Sequence, residues 1–186
     1  QTIGIGIIIL GLLFFLSLIT YSPNDPNFIF SENKEIKNLL GLKGSLISDF
    51  FFQAIGLVSF LIPLSIIITG VNVFFSKKLL ILFENLFFIV LYSIVGSLYL
   101  SLFYKESFFL SIGGNGGFIG NYLVDSFISQ IVNSNEKIFD LSFIFILILL
   151  FLLSINFKLY HLVTIKNFLF KKKLKNEIVV NNQNNE

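Results

Sequence analysis

Four long stretches without a charged side chain divide this sequence, and they limit the fold more strongly than any other feature. The stretches comprise residues 1–24, 50–76, 85–104 and 141–157, and they consist mostly of Ile, Leu, Phe and Val. A helix of about 20 apolar residues crosses the roughly 30 Å of hydrocarbon in a bilayer. The sequence is therefore predicted to be an all-α membrane protein with four transmembrane helices, at about residues 3–21, 50–75, 85–104 and 141–157.

The scarcity of charge excludes an ordinary soluble domain. Charged residues make up 13% of the 186 residues, against about 25% in soluble domains, and so few charges cannot cover a small globule. The absence of Cys excludes disulfides, thiolate nucleophiles and cysteine-based metal sites. Gln1 in place of an initiating Met is expected of a piece of a longer chain. Residues 1–170 are predicted to form the transmembrane domain, and residues 171–186 the basic and polar start of a cytoplasmic linker.

Lysine placement predicts the orientation of the helices, because lysines concentrate on the cytoplasmic side of membrane proteins. The two long loops carry Lys34, Lys37, Lys43, Lys105 and Lys137. The opposite side carries Lys77, Lys78, Lys158, Lys166, Lys171, Lys172, Lys173 and Lys175. The second group is larger and includes a very short loop, where the rule is most reliable. Both chain ends are therefore predicted to lie inside (N-in, C-in), with both long loops outside.

The second outer loop contains a glycine cluster followed by a periodic apolar pattern. The cluster reads Gly113-Gly114-Asn115-Gly116-Gly117. Apolar residues then recur at steps of three and four, at Phe118, Ile119, Tyr122, Leu123, Phe127, Ile128 and Ile131. This spacing predicts a short amphipathic helix that lies in the membrane interface or folds back on the bundle as a re-entrant helix.

Catalytic chemistry has little support in this sequence. His161 is the only histidine, and a lone histidine makes neither a catalytic triad nor a metal site. No glycine-rich loop ends in Lys-Ser or Lys-Thr, as a phosphate-binding loop requires. The chain is therefore predicted not to be an enzyme and to hold no cofactor.

Ion-coupled transport is also disfavoured, since transporters keep ionisable groups inside the membrane. The single candidate is Glu84, which is better explained as a residue at the helix end near Lys77 and Lys78. The third helix offers a packing surface instead, with Ser93, Ser97 and Ser101 at four-residue steps. Small residues at this spacing let helices approach closely in lipid. Packing within the bundle is the favoured use of this surface, and an oligomer interface is the alternative.

The lysine-rich segment after the fourth helix is best explained as a determinant of orientation, and contact with anionic lipid or with DNA phosphates is the alternative. Lipid attraction amounts to about 1 kcal/mol for each lysine near the surface. The lysines concerned are Lys171, Lys172, Lys173 and Lys175.

Three segments carry distinctive motifs: residues 21–28 read YSPNDPNF, residues 38–49 read NLLGLKGSLISD, and residues 113–123 read GGNGGFIGNYL. These segments resemble the N-terminal membrane domain of the FtsK/SpoIIIE DNA translocases. Their order and spacing, together with the four helices, match the pattern of that family over roughly residues 1–170. The positions that carry the resemblance are Tyr21, Pro23, Asp25, Pro26, Gly41, Gly44, Asp49, Gly56, Pro63, Gly113, Gly114, Gly117 and Gly120.

The resemblance implies a membrane anchor and not a motor. In this family the domain holds a hexameric, ATP-driven DNA pump in the bacterial inner membrane at the division septum, where it contacts other septal membrane proteins. ATP and Mg²⁺ would be bound by a motor domain that this sequence lacks, and DNA would be contacted only through that motor. The resemblance implies no catalytic residue here, and a role in cell division and chromosome partition belongs to the full-length protein.

Two other functions stay open on the sequence alone. The chain is compatible with a non-catalytic channel or transporter subunit, and with an anchor for an unrelated cytoplasmic domain. The sequence that follows residue 186 distinguishes them, because a motor with a phosphate-binding loop identifies a translocase.

Overall fold

The computed structural model describes residues 1–26, 35–104, 106, 110, 113–125 and 136–157, except for the side chain of Glu136. The described part is helical and contains no strand. Its helices are α1 (Thr2–Ile19), α2 (Gly41–Ile55), a 3₁₀ helix (Gly56–Phe60), α3 (Leu61–Ser76), α4 (Leu80–Phe103), α5 (Gly117–Leu123) and α6 (Glu136–Ser154). Four elements are long and apolar enough to span a membrane: α1, the continuous stretch Gly41–Ser76, α4 and α6. The prediction of an all-α, four-span membrane protein is confirmed.

The helices alternate in direction and define two faces of the bundle. We call the side where α1 and α4 end the loop face, and the side where α1 begins and α6 ends the terminal face. At the loop face, Leu18 of α1, Phe52 of α2 and Leu110 of the second loop form one buried cluster. Ile55, Ile62 and Tyr92 belong to a second cluster that joins α2, α3 and α4. An even number of spans places both ends of the bundle on the terminal face.

Helices α1 and α3 pack backbone against backbone. A Cβ atom on Gly4 would lie 2.7 Å from the backbone nitrogen of Phe74, and one on Gly70 would lie 2.9 Å from that of Ile8. Glycine at these positions lets two apolar helices approach closely where lipid provides no hydrophobic drive for association. No sequence pattern singles out the glycine positions of α1.

The second span begins nine residues before its predicted start at residue 50. Helix α2 begins at Gly41 and includes Lys43 and Asp49. A boundary drawn at the first charge excludes these nine helical residues, because it assumes that an acidic side chain cannot lie in the bundle. Asp49 is only 5% exposed, and its carboxylate accepts hydrogen bonds from Tyr21 and Gln53. The partners of this carboxylate are what allow the helix to continue through it.

The bend in the second span lies before Pro63 and not at it. The α-helix gives way to a 3₁₀ helix over Gly56–Phe60, and Pro63 is the third residue of α3. In the first turn of a helix the missing N–H of proline costs little. Ser59 satisfies two carbonyl oxygens beside the turn, those of Phe51 and Gly56, at 2.9 and 2.6 Å. The break in this span therefore lies at the residues that precede the proline.

Helices α4 and α6 also begin before their predicted starts at residues 85 and 141. Helix α4 begins at Leu80 and carries Glu84 with an exposed side chain. Helix α6 begins at Glu136, and its Asp140 accepts a hydrogen bond of 3.0 Å from the Tyr99 hydroxyl of α4. In both helices the charged residue is exposed or has a partner, so the helix extends beyond the charge-free stretch.

Polar contacts join the last turn of α6 to α3 and α4. The hydroxyl oxygen of Ser65 in α3 lies 3.0 Å from that of Ser154 and 3.1 Å from that of Tyr92. The Asn72 amide donates a hydrogen bond of 2.8 Å to the carbonyl oxygen of Ile155. Asn156 then ends the helix with a left-handed φ of 52°. These buried contacts fix the register of α6 along α3 and α4.

Candidate functional site: two linked groups at the loop face

The residues of the three sequence motifs come together at the loop face in two groups. Among the described residues, no group of three or more histidine and acidic side chains is close enough to hold a metal ion. The first group joins the end of α1 to the start of α2, and we call it the connection group. The second joins the glycine turn and α5 to α2 and α4, and we call it the re-entrant group.

Asp25 is the centre of the connection group. Its carboxylate accepts hydrogen bonds of 2.9 Å from the backbone N–H groups of Lys37 and Asn38, and the side chain is 4% exposed. Both partners of this aspartate are backbone N–H groups, and they belong to the far end of the loop and not to the turn that contains Asp25. The carboxylate therefore ties the two ends of the first loop together.

Asn38 extends this tie to the helices. Its side-chain N–H₂ donates to the carbonyl oxygen of Ser17 at 2.8 Å, and its Oδ1 accepts from the backbone of Leu40 at 3.1 Å. The Ser17 hydroxyl in turn donates to the carbonyl oxygen of Gly44 at 2.7 Å. A Cβ on Gly44 would overlap the Asn38 side chain. The glycine at this motif position is thus required by the space that Asn38 occupies.

Tyr21 and Asp49 connect the same group to α2. The Tyr21 hydroxyl donates to Asp49 Oδ1 at 3.2 Å, and the Gln53 amide donates to both carboxylate oxygens at 3.1 Å. Burial, followed by the negative charge of Asp49, raises the pKa of Tyr21 above its ordinary value. The phenol therefore stays protonated and serves as a donor to the carboxylate. Pro26 completes the group, because its carbonyl oxygen accepts the Ser45 hydroxyl at 2.7 Å.

Replacement of Asp25 by Ala is expected to destabilise the protein by about 3 kcal/mol, because two backbone N–H groups lose a charged acceptor in a buried place. The measurement is the melting temperature of a fluorescent fusion in mild detergent, followed by size-exclusion chromatography. The fall should be about 6 to 12 °C for a domain of this size. Glu35→Ala is the matched control, since Glu35 is an exposed acidic residue in the same loop. Equal melting temperatures for the two variants would contradict this role of Asp25.

The re-entrant group brings the glycine turn against the break between α2 and α3. The backbone N–H of Leu57 donates to the carbonyl oxygen of Asn115 at 2.9 Å. Gly56 and Gly117 both have left-handed φ angles, of 67° and 68°. A Cβ on Gly117 would lie 2.6 Å from the Gly56 nitrogen, and a Cβ on Gly56 would overlap the Asn115 carbonyl. Residues with a side chain fit neither the backbone angles nor the space here.

The small residues of α4 form the other wall of the re-entrant group. The Ser97 hydroxyl donates to the carbonyl oxygen of Gly116, and the Ser101 hydroxyl donates to Asn121 Oδ1 at 3.0 Å. A Cβ on Gly120 would overlap the Ser97 carbonyl oxygen and the Ser101 hydroxyl. Ser97 and Ser101, two of the serines spaced four residues apart on α4, therefore contact the re-entrant turn of the same chain.

Two asparagines complete the turn, and neither belongs to the predicted set. The Asn115 amide donates to the carbonyl oxygens of Tyr104 and Glu106, at 2.7 and 2.6 Å. The Asn121 amide donates to the carbonyl oxygen of Gly113 at 2.9 Å. Their position inside or beside a glycine cluster is the signal that marks them, because asparagine side chains bond to nearby backbone in turns.

The remaining predicted positions make fewer contacts. Pro23 is exposed, Gly41 has a left-handed φ of 65° at the start of α2, and Gly114 has one of 62°. The Gly114 N–H donates to the carbonyl oxygen of Leu110 at 3.0 Å. Several predicted positions lie outside the described residues: His161, Phe127, Ile128, Ile131, Lys171, Lys172, Lys173 and Lys175.

Comparison with known proteins identifies one family. Residues 1–169 match the family described as the 4TM region of DNA translocase FtsK/SpoIIIE. The match covers every described helix, and it is confined to the four-span membrane region, which is the non-catalytic part of the translocase.

Named relatives agree with this match. The chain is 33% identical over 163 residues to a DNA translocase FtsK of Rickettsia prowazekii, which covers 88% of the chain and 20% of that protein. It is 33% identical over 123 residues to the DNA translocase FtsK of Rickettsia typhi, covering 66% of the chain and 16% of the relative. The chain thus spans about a fifth or less of these relatives. No solved structure matches the chain.

Proposed function

The chain belongs to the FtsK/SpoIIIE family, as the four-span membrane region of an FtsK-like DNA translocase, and on that premise we propose that it anchors the translocase at the division septum of a bacterial cytoplasmic membrane. In this proposal the anchor contacts other septal membrane proteins and assembles with copies of itself, as a hexamer in the full-length protein. ATP hydrolysis, with its Mg²⁺, and DNA contact belong to the motor part, and the motor acts in chromosome partition.

The observation that carries the proposal is the family match over residues 1–169. The structure adds a physical reason, since the described residues contain four candidate spans and both ends of this bundle lie on one face. Lysines outnumber acidic residues after α6 and occupy the short loop between α3 and α4, which favours a cytoplasmic terminal face. A cytoplasmic C-terminus would direct a motor toward DNA, and the basic tail, Lys171 to Lys175, would lie against anionic lipid.

Septal targeting is tested with a fluorescent protein fused after residue 186 in dividing bacteria that lack their own copy of this domain. The expected result is a band of membrane fluorescence at the division site. An unrelated four-span anchor with the same fusion is the control and should label the whole membrane evenly. Even labelling by the full-length fusion of this chain would overturn the proposed septal role.

Orientation is tested by single cysteines, which the natural chain lacks. Asn24 is exposed at the loop face and Lys78 is exposed at the terminal face. A membrane-impermeant maleimide is expected to label Asn24→Cys in spheroplasts and to label Lys78→Cys only after lysis. The reverse pattern would place the terminal face outside and would contradict the proposed position of the motor.

A further inference from the structure

Helix α5 has an inward face used by the re-entrant group and an outward aromatic face. Gly117 and Gly120 are buried against α2 and α4, whereas Phe118 and Tyr122 point away from the bundle and are each 69% exposed. The two rings stack with centroids 6.2 Å apart and an interplanar angle of 22°. Two large aromatic side chains are thus presented together on a helix whose other side is fixed.

The contacts of α5 fix its depth along α4. Ser97 and Ser101, which bond the turn and α5, lie six and two residues before Phe103, where α4 ends. At about 1.5 Å per residue, these positions are roughly 9 Å and 3 Å below the end of the helix. Helix α4 has 24 residues and so extends about 36 Å, against about 30 Å of hydrocarbon. If α4 is centred in the bilayer, α5 lies at the boundary between the acyl chains and the headgroups.

We propose that the Phe118–Tyr122 face is a lipid-binding surface that holds the re-entrant turn at the membrane interface of the loop-face leaflet. Aromatic side chains are favoured at this depth, where an apolar ring meets lipid and a phenol hydroxyl meets water. Tyr104, the residue that follows α4 at the loop face, is also an exposed aromatic residue, with 53% of its surface accessible. The inference goes beyond septal anchoring, because it assigns the outward side of the glycine element to lipid and not to a protein partner.

The chain contains no Trp, so one introduced Trp reports its own depth. The test uses Phe118→Trp in the full chain, reconstituted in vesicles that contain phosphatidylcholine brominated either near the headgroup or near the middle of the acyl chain. We expect headgroup-proximal bromine to quench the emission of the introduced indole at least about twofold more than chain-centre bromine, since interfacial helices lie about 5–10 Å into this boundary. Tyr122→Trp is the second variant and should give the same order.

Phe145→Trp is the matched control, because Phe145 is the tenth of the 19 residues of α6 and is 68% exposed. Its emission should be quenched more by bromine at the chain centre. The proposal is overturned if both α5 variants emit as water-exposed Trp and are quenched by iodide but by neither lipid. Such a result would assign the face to water or to a protein partner. Stronger quenching of both variants by chain-centre bromine would also overturn the interfacial depth.

Discussion

Replacing Gly120 with Val is expected to detach α5 from α4 and to lower the melting temperature of the domain by about 6 to 12 °C. The added side chain would occupy the space of the Ser97 carbonyl oxygen and the Ser101 hydroxyl. Backbone atoms cannot move aside as a flexible side chain can, so the overlap should cost about 3 kcal/mol, the upper end for an overpacked site. The melting temperature of a fluorescent fusion in mild detergent measures this effect.

Gly6→Val is the matched control for this substitution. Gly6 lies in α1, and a Cβ there would meet nothing within 4 Å. The same side-chain change at an apolar position should therefore leave the melting temperature nearly unchanged. If both variants melted together, the close approach of α5 to α4 would not contribute to stability, and the serine spacing of α4 would need another explanation.

A disulfide is expected to form almost completely between cysteines placed at Ser65 and Ser154. The two hydroxyl oxygens lie 3.0 Å apart, and a small adjustment brings two sulfur atoms to the bond length of about 2.05 Å. The natural chain has no Cys, so the introduced pair has no competitor. After treatment of membranes with a permeant oxidant, denatured protein should react with no maleimide-polyethylene glycol, whereas reduced protein should react with two molecules.

The control pair is Ser65→Cys with Ser142→Cys. Ser142 lies twelve residues before Ser154 on the same helix, which corresponds to about 18 Å along its axis. This pair should keep both thiols free under the same oxidant. Bond formation in both pairs would mean that α6 slides along α3, and free thiols in both would mean that α6 does not dock as described.

The number and type of the spans were predictable because the signal is local. A run of apolar residues must be buried in lipid or in protein. A run of about 20 residues is long enough to cross the bilayer, whereas a shorter run is typical of a protein core. The helix ends were not predictable in the same way, because they depend on partners distant in sequence. Asp49 continues α2 only because Tyr21 and Gln53 bond its carboxylate, and Asp140 lies within α6 beside Tyr99.

The candidate site shows the same division between local and distant information. The glycine cluster predicts a backbone with unusual angles, and a turn followed by a short helix is what the structure contains. The surface that the turn contacts depends on residues distant in sequence. No pattern near Gly117 indicates that it packs against Gly56. Asn38 is the first residue of the motif at 38–49, but its contacts with Asp25 and Ser17 join positions that are distant in sequence, so the motif alone does not indicate them.

The meeting of Gly56 with Gly117 has a consequence for genetics. In an ordinary core, a substitution that enlarges one side chain is suppressed by a second substitution that shrinks its neighbour. Here each neighbour is already glycine or a backbone atom, so no smaller residue exists for the opposite position. A selection for revertants of Gly56→Ala should therefore return the original codon, or changes that displace a whole segment, and should return no compensating change at residue 117.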